Sequence, residues 1–201
     1  MKLTLLDRVL LLLTGLLAAY QIAVGIDGMA TPAIMAYTIA FGILLVAGLL
    51  LIILGFEVLD SPVVVVISTV IPLSLSLGLV WAYLPTFRSL YLAFVIVGFL
   101  AILTTRLLPM HNKVPVIVLA VVHGIAGLTI FLLPILFSLA GQARPGFSLV
   151  GVGGALIGVG GLLLALLKAG KPLVSRQTIL KILPGLLFLM TLAFVTGFAM
   201  A

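Results

Sequence analysis

The chain has 201 residues, of which 65% are hydrophobic and only 7% are charged. Water-soluble domains are about half apolar and about a quarter charged, so this composition excludes a water-soluble fold. The chain has no cysteine, which excludes disulfides, thiolate metal sites and thiol catalysis. The net charge of +6 comes from basic residues between apolar runs, which indicates contact with anionic lipid headgroups and no nucleic acid.

Seven runs are apolar and long enough to cross the hydrocarbon layer, for which a helix needs about 17–25 residues. They are 9–26, 32–56, 62–84, 89–105, 114–140, 147–167 and 182–201. The fourth run is marginal unless Arg88 and Arg106 extend to the headgroups. The connections are short, and Asp60 and Ser61 are suited to cap the third helix. We therefore predict an all-α integral membrane protein, folded as one seven-helix bundle over residues 1–201.

Lysine and arginine are unequally distributed between the two ends of the predicted bundle. With seven crossings, eight of the ten lie at the end that holds the N-terminus, and only Arg88 and Arg144 lie at the other end. The eight are Lys2, Arg8, Arg106, Lys113, Lys168, Lys171, Arg176 and Lys181. Because cytoplasmic loops carry the positive excess, we expect the N-terminus in the cytoplasm and the C-terminus outside.

Two turns of the sequence resemble each other. Residues 28–32 and 141–145 both read Gly-x-Ala-x-Pro, and each joins two predicted helices. At the same distance after each proline, Gly48 and Gly161 begin the pattern Gly-Leu-Leu-Leu. Equal spacing of the turn and the glycine indicates an internal duplication.

The duplication would relate the first three helices to the last three. Residues 1–84 would then be repeated in 114–201 in parallel orientation, with a linker helix in 85–113, which gives a 3+1+3 arrangement. Chance similarity is the alternative, because leucine and glycine are frequent in membrane helices.

His123 is the only ionisable side chain well inside a predicted membrane span. An imidazole in lipid needs a hydrogen-bond partner, because an unpaired polar group there is costly. We expect an interhelical hydrogen bond to Gln21 of the first helix or to a hydroxyl group of the third. The hydroxyl candidates are Ser68, Thr69 and Ser74.

Two other interpretations of His123 stay open. One is a polar contact along the path of a substrate. The other is axial ligation of a haem or chlorophyll-type pigment, with Gly124 and Gly127 leaving room for the ring. A bis-histidine haem needs a second histidine at the same depth, whereas His111 lies in a polar turn. Two histidines without cysteine cannot supply the usual zinc ligands, so we predict no metal site and no required cofactor.

Glycine and proline mark further candidate positions. Glycines four residues apart let two helix backbones touch, within the chain or against a partner. The glycines that we assign to helix packing are Gly154, Gly158 and Gly161. A proline within a span frees a carbonyl group and kinks the helix, so it shapes the bundle or provides a hinge. The hinge candidates are Pro72, Pro134 and Pro184.

The acidic residues argue against ion-coupled transport. Asp7, Asp27, Glu57 and Asp60 all lie near predicted helix ends, whereas coupled carriers keep an ionisable group inside the bundle. No nucleophile and base can be paired, so we predict no enzymatic activity. The favoured function is a non-catalytic helical subunit or scaffold of a larger membrane complex, bound to other subunits or to copies of itself. The alternatives are a small passive carrier or pore for an uncharged solute, and a pigment-binding protein that uses His123.

Overall fold

The structure, a computed structural model, describes residues 2–108, 113–168 and 173–201, without the side chains of 164–166 and 168. The described residues contain seven helices that are long and apolar enough to cross a membrane. They are α1 (Leu5–Val24), α2 (Thr31–Leu54), α3 (Pro62–Tyr83), α4 (Arg88–Leu107), α5 (Val114–Leu139), α6 (Ser148–Lys168) and α7 (Arg176–Ala199). The prediction of a seven-helix membrane bundle is therefore confirmed.

Two helices begin at least one turn earlier than the charge pattern predicted. The first starts at Leu5 rather than Val9, because the Thr4 hydroxyl accepts the Asp7 N–H at 3.2 Å and the Asp7 carboxylate accepts the Thr4 N–H at 2.8 Å. This reciprocal capping box stabilises the first turn. Likewise α7 starts at Arg176, behind Ser175, whose hydroxyl accepts a backbone N–H at 3.1 Å. Charged residues in a capped first turn are compatible with a membrane helix.

The predicted caps of α3 are only partly correct. Ser61 occupies the N-cap position, but its side chain makes no capping hydrogen bond. Asp60 instead forms an exposed ion pair with Arg176, with 2.7 Å between its Oδ2 and the guanidinium Nη2. This pair joins the short 3-10 helix Gly55–Asp60 to the start of α7.

Six helices form a closed ring. Each of α1, α2, α3, α5, α6 and α7 packs against the next in that order, and α7 packs against α1. The seventh helix, α4, packs on α3 and α5 from outside the ring. The odd-numbered helices begin at what we call the N-terminal end of the bundle, and the even-numbered helices begin at the C-terminal end.

Aromatic side chains fill the interior of the six-helix ring toward the C-terminal end of the bundle. The ring of Phe198 lies 4.6 Å from that of Tyr37, 6.2 Å from that of Phe41 and 6.3 Å from that of Phe147, measured between centroids. The ring of Tyr83 lies 5.0 Å from that of Phe147. These five residues, which we call the aromatic core, bring together α2, α3, α7 and the 3-10 helix before α6.

Candidate functional site

Three hydroxyl groups of α3 bond to their own helix. The Ser68 and Thr69 hydroxyls donate to the Val65 carbonyl at 3.0 and 2.8 Å, and the Ser76 hydroxyl donates to the Pro72 carbonyl at 2.7 Å. Ser74 is buried on the same helix. Local bonds of this kind satisfy a hydroxyl without a partner on another helix.

Gln21 also bonds locally. Its side-chain amide donates to the Gly25 carbonyl at 2.7 Å, and this satisfies one of the carbonyls that the end of α1 leaves unpaired. Gln21 and the two neighbouring hydroxyls of α3, Ser68 and Thr69, are therefore each engaged with their own segment of the chain. Among the described residues, no hydrogen bond joins any of them to His123.

His123 lies half-buried on α5, and its Nδ1 is 3.1 Å from the Leu119 carbonyl oxygen. Because a carbonyl oxygen only accepts, Nδ1 must carry the proton and donate within its own helix. The neutral ring then keeps its lone pair on Nε2, where it can accept a hydrogen bond or bind a metal. The contact found is thus local rather than interhelical. His111 lies outside the described residues.

The glycines of α6 fall into two groups. A Cβ added at Gly154 would lie 2.8 Å from Ile130 Cγ2, and one at Gly151 would lie 2.6 Å from the Phe131 carbonyl oxygen. Both glycines therefore allow α6 to touch the backbone of α5. At Gly158 and Gly161 an added Cβ would meet no described atom within 4 Å. Only one of the three glycines assigned to helix packing thus packs against a described helix.

The open glycines of α6 lie at the same depth as open glycines of α5. The two helices run antiparallel, and Gly154 packs beside Ile130, so positions after Gly154 lie opposite positions before Ile130. Gly158 and Gly161 therefore lie near the level of Gly127 and Gly124, which also have no described neighbour for a Cβ. We call these four residues the open glycine face. The helices touch toward the C-terminal end and leave this face uncovered toward the N-terminal end.

The three hinge candidates lie inside continuous helices. Pro72, Pro134 and Pro184 are each buried within α3, α5 and α7, which continue on both sides of the proline. Buried prolines in unbroken helices are consistent with a role in shaping the bundle. Hinge motion at these three prolines stays a prediction.

A polar contact joins two helices at residues that the sequence analysis did not single out. The Tyr91 hydroxyl of α4 and the Thr129 hydroxyl of α5 lie 3.1 Å apart. Thr129 also donates to the Ile125 carbonyl at 2.9 Å. The contact between Tyr91 and Thr129 joins α4, the helix outside the ring, to α5.

The C-terminal end of the bundle has an open depression of about 580 Å³. Its lining includes Tyr83, Ser138, Gln142 and Arg144. The Ser138 hydroxyl of α5 donates to the Arg144 carbonyl at 3.1 Å and so stabilises the turn between α5 and α6, which carries Gln142 and Arg144. The Tyr83 ring connects the depression to the aromatic core. Among the described residues no group of three histidine, aspartate or glutamate side chains could hold a metal ion.

Comparison with known proteins gives no relative from which a role could be transferred. No family model matches the chain, and neither does any curated protein or any solved structure. The chemistry of the described residues therefore carries the functional argument for this multi-pass membrane protein.

Proposed function

We propose that the protein is a non-catalytic helical subunit of a membrane assembly and that it contacts its partner through the open glycine face. The observation that carries this proposal is the contrast within α6. Gly151 and Gly154 lie against the backbone of α5, whereas a Cβ added at Gly158 or Gly161 would meet no described atom within 4 Å. Small residues let helix backbones approach closely in lipid, where packing rather than hydrophobicity drives association. A helix of another subunit, or of a second copy, fits this requirement.

The interior of the bundle also supports a structural role. The hydroxyl groups of Thr14, Thr69 and Thr191 are buried, and each donates to a carbonyl of its own helix. Buried groups satisfied in this way need neither water nor a substrate. The aromatic core fills the C-terminal half of the helix ring. The interior of the bundle is therefore occupied mainly by packed side chains.

The native size of the protein, gently extracted from its own membrane, tests the proposal. We expect wild-type protein to migrate as a complex larger than one chain, and Gly158→Leu with Gly161→Leu to release it as a single folded chain. The matched control is Gly42→Leu on α2, where an added Cβ likewise meets no described atom within 4 Å. This control should keep the complex.

A single wild-type chain with no partner would overturn the assembly and favour the second candidate, a passive carrier for an uncharged solute. The depression lined by Tyr83, Ser138 and Gln142 is the feature that supports a carrier. In that case reconstituted protein should carry a solute faster than empty liposomes. If reconstituted protein carries solute no faster than empty liposomes, and the extracted protein is larger than one chain, the role as a subunit of an assembly is supported over the carrier.

We further infer that the chain is a parallel duplication with its N-terminus in the cytoplasm. If α1 is exchanged with α5, α2 with α6 and α3 with α7, every pair of neighbouring helices in the ring becomes another pair of neighbours. This supports two copies related by a two-fold axis along the membrane normal. The two Gly-x-Ala-x-Pro turns also agree in conformation, with φ of +74° at Gly28 and +69° at Gly141. The excess of basic residues at the N-terminal end supports the orientation.

Cysteine labelling tests both the orientation and the parallel relation, because the natural chain has no cysteine. Thr31→Cys and Arg144→Cys occupy equivalent, exposed positions of the two turns. Both should react with a membrane-impermeant maleimide added to intact cells. Glu57→Cys, exposed at the opposite end, should react only after permeabilisation. Labelling of one turn without the other would contradict a parallel relation, and labelling of Glu57→Cys alone would reverse the orientation.

A further inference from the structure

Two basic residues of neighbouring helices lie at the N-terminal end of the bundle. Arg106 is in the last turn of α4, and Lys113 is the residue immediately before α5. The two helices run antiparallel and pack closely, since a Cβ added at Gly98 of α4 would lie 3.2 Å from Val122 of α5. Both cations therefore belong to one edge of the bundle.

The guanidinium group of Arg106 is not fully paired within the described chain. The Cα–Cβ bonds of a helix tilt toward its start, and α4 starts at the C-terminal end of the bundle, so the base of the Arg106 side chain tilts toward the apolar layer. Its residue is half-buried, its Nε is fully buried, and this Nε has no hydrogen-bond partner within the part of the chain that the structure describes. An arginine whose N–H groups are not all paired within the chain is costly at the edge of an apolar layer, so the accessible part of this half-buried guanidinium group calls for an anionic partner.

The carboxylates of the chain do not supply that partner in the structure. All four acidic residues precede position 61, so α3 to α7 contain none. Asp7 accepts hydrogen bonds from Thr4, and Asp60 pairs with Arg176. Asp27 lies at the opposite end of the bundle, and Glu57 is exposed in the 3-10 helix between α2 and α3.

We propose that this edge of the bundle binds an anionic phospholipid, whose phosphate is held by Arg106 and Lys113. A guanidinium group forks around two phosphate oxygens, and an ammonium group adds a second positive charge. Below Lys113, the side chains of Ile117 and Val121 are 56% and 53% exposed and lie one turn apart on α5. They form an apolar track that leads from the headgroup level into the membrane, where an acyl chain can lie.

Lipid binding to the purified protein tests the proposal. Dioleoylphosphatidylglycerol is titrated into detergent-solubilised protein, and retained lipid is counted by native mass spectrometry against dioleoylphosphatidylcholine. We expect preferential retention of the anionic lipid by wild-type protein and an affinity about fivefold lower in Arg106→Gln, the change expected for about one basic contact at a membrane surface. Arg106→Lys should fall in between, because it keeps the charge and loses the fork.

The control is Arg144→Gln, an identical charge change at an exposed position of the opposite end. It should bind the anionic lipid as wild-type protein does. An equal loss in both variants would show only a net-charge effect and would overturn the site. Equal binding by Arg106→Gln and wild type would also overturn it, as would equal occupancy by inorganic phosphate alone. If Arg106→Gln fails to fold, Lys113→Gln, at an exposed position, is expected to show the same selective loss.

Discussion

Replacing Phe198 by alanine should lower the free energy of unfolding by about 2–4 kcal/mol, slightly less than the roughly 3–5 kcal/mol typical of aromatic truncation in soluble cores. The side chain is only 4% exposed, and its ring contacts those of Tyr37, Phe41 and Phe147. Lipid is itself apolar, so little transfer free energy is lost on truncation. The cost comes from the dispersion contacts of three rings and from the cavity left behind.

Reversible unfolding by a denaturing detergent in mixed micelles measures this effect. The control is Phe87→Ala, because Phe87 is 51% exposed in the turn before α4 and its loss should change stability by less than about 0.5 kcal/mol. Equal losses in the two variants would contradict the idea that the aromatic core holds the ring of helices together.

The number and type of the helices could be predicted from the sequence because lipid imposes a simple requirement. Every backbone polar group in the apolar layer must be paired, so each long uncharged run becomes a helix. The starts of α1 and α7 could not be placed by that rule. They depend on the hydrogen bonds of Thr4 and Ser175, which stabilise first turns that contain charged residues.

The candidate site was harder to predict, because the neighbours of a side chain depend on helix order and register. The sequence singled out His123 and Ser68 as polar groups within apolar runs, but it could not show that each bonds to its own helix. The contact between Tyr91 and Thr129 requires α4 beside α5 at a particular depth. Hydropathy does not show which residues of two helices lie at the same depth in the membrane, since apolar residues surround both Tyr91 and Thr129.

Arg88 illustrates the same limit at a helix end. The sequence suggested that this side chain extends to the headgroups, and the structure shows that its Nε donates to the Trp81 carbonyl at 2.7 Å. Its guanidinium carbon also lies 5.7 Å from the centre of the Trp81 ring. The arginine thus satisfies a free carbonyl at the end of α3, a role that depends on how the chain turns after Tyr83.

Alanine at Gly154 and alanine at Gly158 should change stability in opposite directions, although the two positions lie one turn apart on α6. At Gly154 the new Cβ would lie 2.8 Å from Ile130 Cγ2 and 2.9 Å from the Phe131 backbone nitrogen. Backbone cannot move aside as a flexible side chain can, so α6 must shift, at a cost of about 1–3 kcal/mol. At Gly158 the space is open, and alanine should stabilise the chain by roughly 0.5–1 kcal/mol because it restricts the unfolded backbone.

Both variants should be measured by unfolding of the isolated chain and by native size in gently extracted membranes. Gly154→Ala should destabilise the isolated chain, whereas Gly158→Ala should stabilise it. If the open glycine face binds a partner, Gly158→Leu should weaken the complex without destabilising the chain, since the added volume meets only the partner. Destabilisation of the isolated chain by Gly158→Ala would contradict an open face. The comparison therefore separates glycines that pack within the chain from those that pack between chains, a distinction that their spacing in the sequence cannot make.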